Sequence, residues 1–189
     1  VRIHLAEYDP EWPHRFAAFG ADLRHSLLDQ SVHGVADRLV AIHHIGSTSV
    51  PGLAAKPVID LQVSLTSLEP FEPLREAIEV HGYRWQADNP DLRKRFFRLE
   101  TPDGTRTANV HVRLDGDFTQ RAALLFRDHL RAEPFAAERY ESVKRELATQ
   151  DWADVNTYAD AKGDIVWQLL READVWAGRR GWQPGPSDA

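Results

Sequence analysis

Between His43 and Val63 the chain gathers residue types suited to handling phosphate. Gly46 and Ser47 leave an apolar run and open a loop, residues 46–53, that holds two Gly, one Pro and three hydroxyl residues. Such a composition lets successive backbone N–H groups turn toward an anion, with glycine permitting close approach and serine adding a donor. Thr48 in that loop and Lys56 beyond it are further candidates for phosphate contact. After twelve intervening residues comes Asp60, inside a run that alternates cleanly. Ile59, Leu61, Val63 and Leu65 point one way and Asp60, Gln62 and Ser64 the other, so Asp60 and Gln62 share an accessible strand face. Oxygen ligands two residues apart on a strand are placed to hold Mg²⁺ against the same phosphates. Arg95 and Arg98 can add charge, but a spacing of three puts them on opposite faces of a strand, so only one can serve. His43, His44 and His111 read either as a metal cluster or as hydrogen-bonded structural groups. Gly46-Ser47 and Asp60 also have structural readings, as a capped turn and as an Arg-paired acid.

These candidates sit in a chain of 189 residues, the length of one ordinary domain. Hydrophobic residues make up 42%, with 6 Trp and 8 Phe, too apolar for a disordered chain. There is no Cys, which excludes thiolate nucleophiles, Fe–S clusters and cysteine zinc sites. No run approaches the ~20 apolar residues of a membrane span and the opening residues form no signal-peptide core, so a soluble, cytoplasmic protein with no membrane partner is expected. Net charge is −6, which argues against a polynucleotide partner. The charge is uneven. Residues 91–131 carry 9 bases against 6 acids, and all but one of those bases are Arg, whereas the flanks are acidic. A local anion site facing the Gly-Ser loop is one reading and solvated surface charge the other.

The elements that must position the candidates follow from periodicity. Trp12, Phe16, Phe19, Leu23 and Leu27, spaced by three and four after Asp9-Pro10, predict a first helix. Strands are expected at 39–45 and 58–65, then a short helix through Phe71, Leu74 and Ile78 that ends at Gly82. Runs at 95–101 and 105–114 around Pro102-Asp103-Gly104 predict a hairpin. In its second strand Ala108, Val110 and Val112 alternate with Asn109, His111 and Arg113. Helices are expected at 119–131, 134–149 and 156–176. Tyr140 with Lys144 and Tyr158 with Lys162 then line a cleft against the sheet or lie on solvated helix faces. The Gly- and Pro-rich tail, residues 181–189, is expected to fray. The expected fold is therefore α/β (α+β), a mixed β-sheet backed by helices, as a single domain over residues 1–180 with a helical portion at about 119–177.

Several separated motifs stand in order: Tyr8-Asp9-Pro10-Glu11-Trp12, the stretch from His43 to Val63, Arg95-Phe96-Phe97-Arg98, Val110-His111-Val112, residues 125–131, Tyr140 with Lys144, and Tyr158 with Ala161-Lys162, covering roughly residues 2–175. Together they resemble the GrpB family. The resemblance implies a nucleotidyltransferase-like fold. Carried over residue by residue, Gly46 and Ser47 match that superfamily's Gly-Ser, and Asp60 matches its first metal-binding acid. Gln62 stands where a second acid would be, and Asn109 or His111 where a third would be. The implied function is binding of a nucleotide or other phosphorylated small molecule, with transfer of a nucleotidyl group to a small acceptor. Gly46, Ser47, Thr48, Lys56, Arg95 and Arg98 would meet the phosphates, Asp60 and Gln62 the Mg²⁺, and Asp60 and His111 would be catalytic. The alternative is a binding or accessory protein that keeps the pocket without turnover, and a third reading is a His/Asp metal-dependent hydrolase. A related domain is fused to bacterial dephospho-CoA kinases, but this chain has no Gly-x-x-x-x-Gly-Lys-Ser/Thr loop.

Overall fold

The computed structural model describes residues 1–29, 31 and 34–189. Helix α1 (Glu11–Leu28) starts where expected, with Asp9 Oδ1 accepting from the Glu11 N–H at 2.9 Å and Pro10 at the cap. Strands β1 (Leu39–Ile45) and β2 (Ile59–Leu65) flank a short 3₁₀ turn, Ser47–Ser49. Then come α2 (Phe71–Glu79), the two-residue β3 (Arg84–Trp85), β4 (Lys94–Glu100) and β5 (Arg106–Leu114). The C-terminal third is helical: α3 (Phe118–Ala132), α4 (Pro134–Ala148), α5 (Val155–Ala161) and α6 (Gly163–Arg180). The helix expected at 156–176 is thus two helices. Lys162 keeps helical dihedrals at the junction, and Gly163, the weakest helix former in the run, opens α6.

The strands form one mixed sheet in the order β1-β2-β5-β4-β3. Only the β2–β5 pair is parallel, which sets Asp60 beside Asn109 and Gln62 beside His111. The two faces of the sheet divide by chemistry, as the alternation requires. Leu61, Val63, Val110, Val112 and Phe97 pack with Trp12, Phe16, Leu23 and Leu27 of α1 and with Leu74 and Ile78 of α2 in one core. Full burial of each such side chain contributes ~1.5–3 kcal/mol. The opposite face carries Asp60, Gln62, Ser64, Asn109 and His111, and α3 covers part of it.

The tail does not fray. Edge strand β1 exposes backbone groups that need partners, and the tail supplies them. The Asp188 N–H donates to Ile42 O at 2.9 Å, Ser187 Oγ accepts from the Ile42 N–H at 2.9 Å, and Asp188 Oδ2 accepts from the His44 N–H at 3.0 Å. Arg127, buried in α3, holds Asp188 at 2.7 Å. No helix among the described residues is long and apolar enough to cross a membrane.

Candidate functional site

The end of β1, the start of β2 and the middle of β5 meet at Asp60. Its Oδ1 accepts from Asn109 Nδ2 at 2.8 Å and lies 3.3 Å from His111 Nε2. The carboxylate is 25% exposed and opens toward the loop from β1. Gly46 has φ +72°, and a β-carbon there would stand 2.5 Å from Asp60 Oδ2. The glycine is required twice over, by the left-handed backbone and by the contact. Burial pushes the Asp60 carboxyl up, but the hydrogen bonds from His111 and Asn109 and the nearby charge of Lys56 outweigh it and leave it below the usual carboxylate range. Burial likewise holds His111 below the ordinary histidine value, against the pull of Asp60. At neutral pH the pair is therefore a carboxylate accepting from a neutral imidazole.

Cations surround this carboxylate. The Lys56 ammonium lies 5.6 Å and that of Lys162 4.7 Å from the centre of the Tyr158 ring. The field of Asp60 reaches Lys56, Lys94, Arg106 and Lys162. Among the described residues none of the three lysines forms an ion pair. Burial lowers all three, and Lys162, beside Lys56, falls to about 8. On β4, Lys94 and Arg98 flank the Phe96 ring at 5.0 and 5.4 Å, and that ring packs on His111 at 4.9 Å. Ser47 faces the buried Tyr140 hydroxyl. Lys144, behind Tyr140, donates to Ala54 O, and burial lowers it to about 7.

The structure brings Gly46, Ser47, Lys56, Asp60, Arg98 and His111 together and leaves three expected residues apart. Thr48 is buried, donates to Val58 O at 3.4 Å and accepts from His44 Nε2 at 3.0 Å, so its hydroxyl is occupied inside the fold. Arg95 lies on the α2 face, over Phe71 and 2.8 Å from Glu69, so of the two arginines only Arg98 shares the face of Asp60. Gln62 shares the face of Asp60, as the alternation requires, but α3 seals it. It is 0% exposed and donates to Gln120 O at 3.2 Å. The three histidines do not converge. His44 stacks on Phe16 at 4.7 Å on the core face, where burial drops it to about 4, and His43 bonds the tail carbonyls of Gly185 and Pro186. Sequence reasoning missed Lys94 and Arg106. Lys94 shares strand parity with Arg98 and was within reach of strand alternation, whereas Arg106 has the parity of Ala108 and gave no signal.

The arrangement sets several cationic side chains around one carboxylate. Among the described residues no three His, Cys, Asp or Glu side chains come together to hold a metal ion. One carboxylate beside ammonium groups, with Gln62 sealed away, does not fit a protein-held Mg²⁺, which needs several hard oxygens and is repelled by neighbouring cations.

The family model described as GrpB protein matches residues 2–172. The chain belongs to the GrpB family. A UPF0157 protein of Streptomyces coelicolor is 39% identical over 92% of this chain and 85% of its own length. The crystal structure of the conserved protein GrpB from Enterococcus faecalis superposes with a TM-score of 0.74 at 29% identity, over 89% of this chain and 98% of that one. A dephospho-CoA kinase of Mycolicibacterium paratuberculosis is 33% identical over 96% of this chain, which spans 48% of that protein. The GrpB match extends from α1 into α6, so it includes every element that contributes to the Asp60 site.

Proposed function

We propose that this GrpB protein binds a phosphorylated small molecule, with nucleotides the first class to test, and holds it without turnover. One observation carries the reading: Lys56 and Lys162, partly buried and without ion-pair partners among the described residues, flank one tyrosine beside a single carboxylate and the Gly46-Ser47 loop. Desolvated, unpaired cations are costly, and a phosphate dianion relieves that cost while accepting from Ser47 and the loop N–H groups. Asp60, accepting from Asn109 and His111, then holds the loop and strands in register. Nucleotidyl transfer, with Asp60 and His111 at the reacting centre, is the second reading, and the resemblance of Gly46-Ser47 and Asp60 to the nucleotidyltransferase motif supports it. The donor set around Asp60 favours binding alone.

The test is calorimetric titration of the whole chain with inorganic phosphate, AMP, ATP and dephospho-CoA, the last chosen because a related sequence forms part of a dephospho-CoA kinase. At least one should bind with a Kd in the micromolar range, and K56Q/K162Q should weaken it tenfold or more. A panel that shows no binding, or affinity unchanged in the double variant, overturns the proposal. Pyrophosphate release from ATP with Mg²⁺ would restore the transfer reading.

A further inference from the structure

A groove lies where α3, α4 and α6 meet, and none of its lining residues belongs to the Asp60 pocket. It has a volume of about 710 Å³. That volume falls within the ~300–1,000 Å³ typical of small-molecule sites. His129 lines it while only 4% exposed, and neither ring nitrogen has a hydrogen-bond partner. The indole N–H of Trp176, whose ring packs edge-on to His129 at 5.6 Å, is also unpartnered. Burial holds His129 below its ordinary value, so at neutral pH it is a neutral imidazole with one donor and one acceptor to satisfy. Buried polar atoms without partners are costly, and a ligand group reaching the floor of the groove would remove that cost.

The walls and rim set the ligand's chemistry. Both lining carboxylates are already matched. Glu172 accepts from Arg139 at 2.8 and 3.1 Å and from Gln168 at 3.3 Å, and Glu133 lies 3.9 Å from Arg180. Arg171 and Arg179 form no ion pair among the described residues. They are eight residues apart on one face of α6, about 12 Å along the axis, with Val175 midway. Val175 is 55% exposed and Phe135, across the groove, 71%, so apolar surface faces water between two uncompensated guanidinium groups. On a chain of net charge −6 this is a second local excess of positive charge, apart from the one around Asp60.

We infer that the α3–α4–α6 groove is a binding site for a small organic anion with an apolar body: Arg171 or Arg179 takes its acidic group, Val175 and Phe135 cover its body, and His129 meets a polar atom at its far end. Phosphate alone has no apolar body and would not select this groove.

The test uses the aromatic sulfonate 1-anilinonaphthalene-8-sulfonate as probe, followed by fluorescence, with the His129 ring followed by NMR. The dye should bind one to one with a Kd of tens of micromolar or tighter, and saturation should move the His129 ring resonances. R171Q/R179Q should weaken binding tenfold or more, V175E should do the same by like charge, and K56Q/K162Q should leave it unchanged within twofold. That last control separates failure here from failure of the Asp60 proposal. Binding unaltered in R171Q/R179Q, an unmoved His129, or loss in K56Q/K162Q overturns the inference. So does displacement of the dye by a glutamate-rich helical peptide but by no small organic acid, which would assign the groove to a protein partner.

Discussion

Gly46 and Asp60 are in such close contact that a single added methyl on the glycine would stand 2.5 Å from the carboxylate oxygen. The contact locks the loop leaving β1 to the first residues of β2, where Ile45 and Asp60 are paired. The proposed anion site depends on that lock.

Gly46→Ala should therefore cost more than its backbone strain. Gly52, in the same loop, has φ +78° with nothing within 4 Å of the position its methyl would take, so Gly52→Ala reports strain alone, about 1 kcal/mol. Gly46→Ala adds steric overlap and should lose roughly 1–3 kcal/mol more. Urea denaturation of both variants checks the difference, and equal losses would show that the contact relaxes freely.

Asp60→Asn separates an anion site from a metal site. Removing the one negative charge near Lys56 and Lys162 should tighten phosphate or nucleotide binding by on the order of fivefold to tenfold, about 1 kcal/mol. Folding stability should fall by about 1–2 kcal/mol with the loss of the charge-assisted hydrogen bonds. Weaker anion binding in a folded variant contradicts the electrostatic account.

Lys162, lowered to about 8, ties binding to pH. Its charge is present below that value and lost as pH rises through it, while a phosphate monoester gains its second charge above ~6. Affinity should peak near neutrality and fall above pH 8. Lys162→Arg, which stays charged, should keep the affinity at pH 9. For folding the sign is opposite. The folded state binds fewer protons than the unfolded between about 8 and the ordinary lysine value, so the Lys162 contribution to stability rises with pH across that window. Titrations and melts from pH 6 to 10 read both trends.

Gln62→Glu, which would restore a second acid by sequence logic, should instead destabilise. The side chain is 0% exposed beneath α3, so an ionised carboxylate there costs roughly 2–4 kcal/mol, easing as pH falls and the acid protonates. Mg²⁺ should not restore the melting temperature. Rescue by Mg²⁺ would put a metal site back at this position.

Polynucleotide binding should be weak at physiological salt. Engaging 6–10 phosphates takes a broad basic face and produces a steep salt dependence, whereas this chain concentrates its excess bases in one segment and carries −6 overall. Micromolar affinity for a labelled oligonucleotide, independent of sequence, would refute the expectation.

Local rules made much of this molecule readable from its residues alone. Period-2 alternation put Asp60, Gln62 and Ser64 on one face of β2 and Asn109 and His111 on one face of β5, and the spacing of three in Arg95–Arg98 required those two to diverge. These conclusions hold because the direction of a strand side chain is set by its own backbone. Whether a face is open to ligand is decided by what packs over it, and there tertiary structure alone decided. Helix α3 closes over Gln62 and leaves Asp60 partly exposed, so two residues with the same strand parity have different fates. The tail, polar and Gly- and Pro-rich, has little structure of its own to predict. It is ordered by the unpaired edge of β1 and by Arg127, partners 60 or more residues away. Lys56 and Lys162 are separated by more than a hundred residues, and only the fold sets them around one Tyr158 ring.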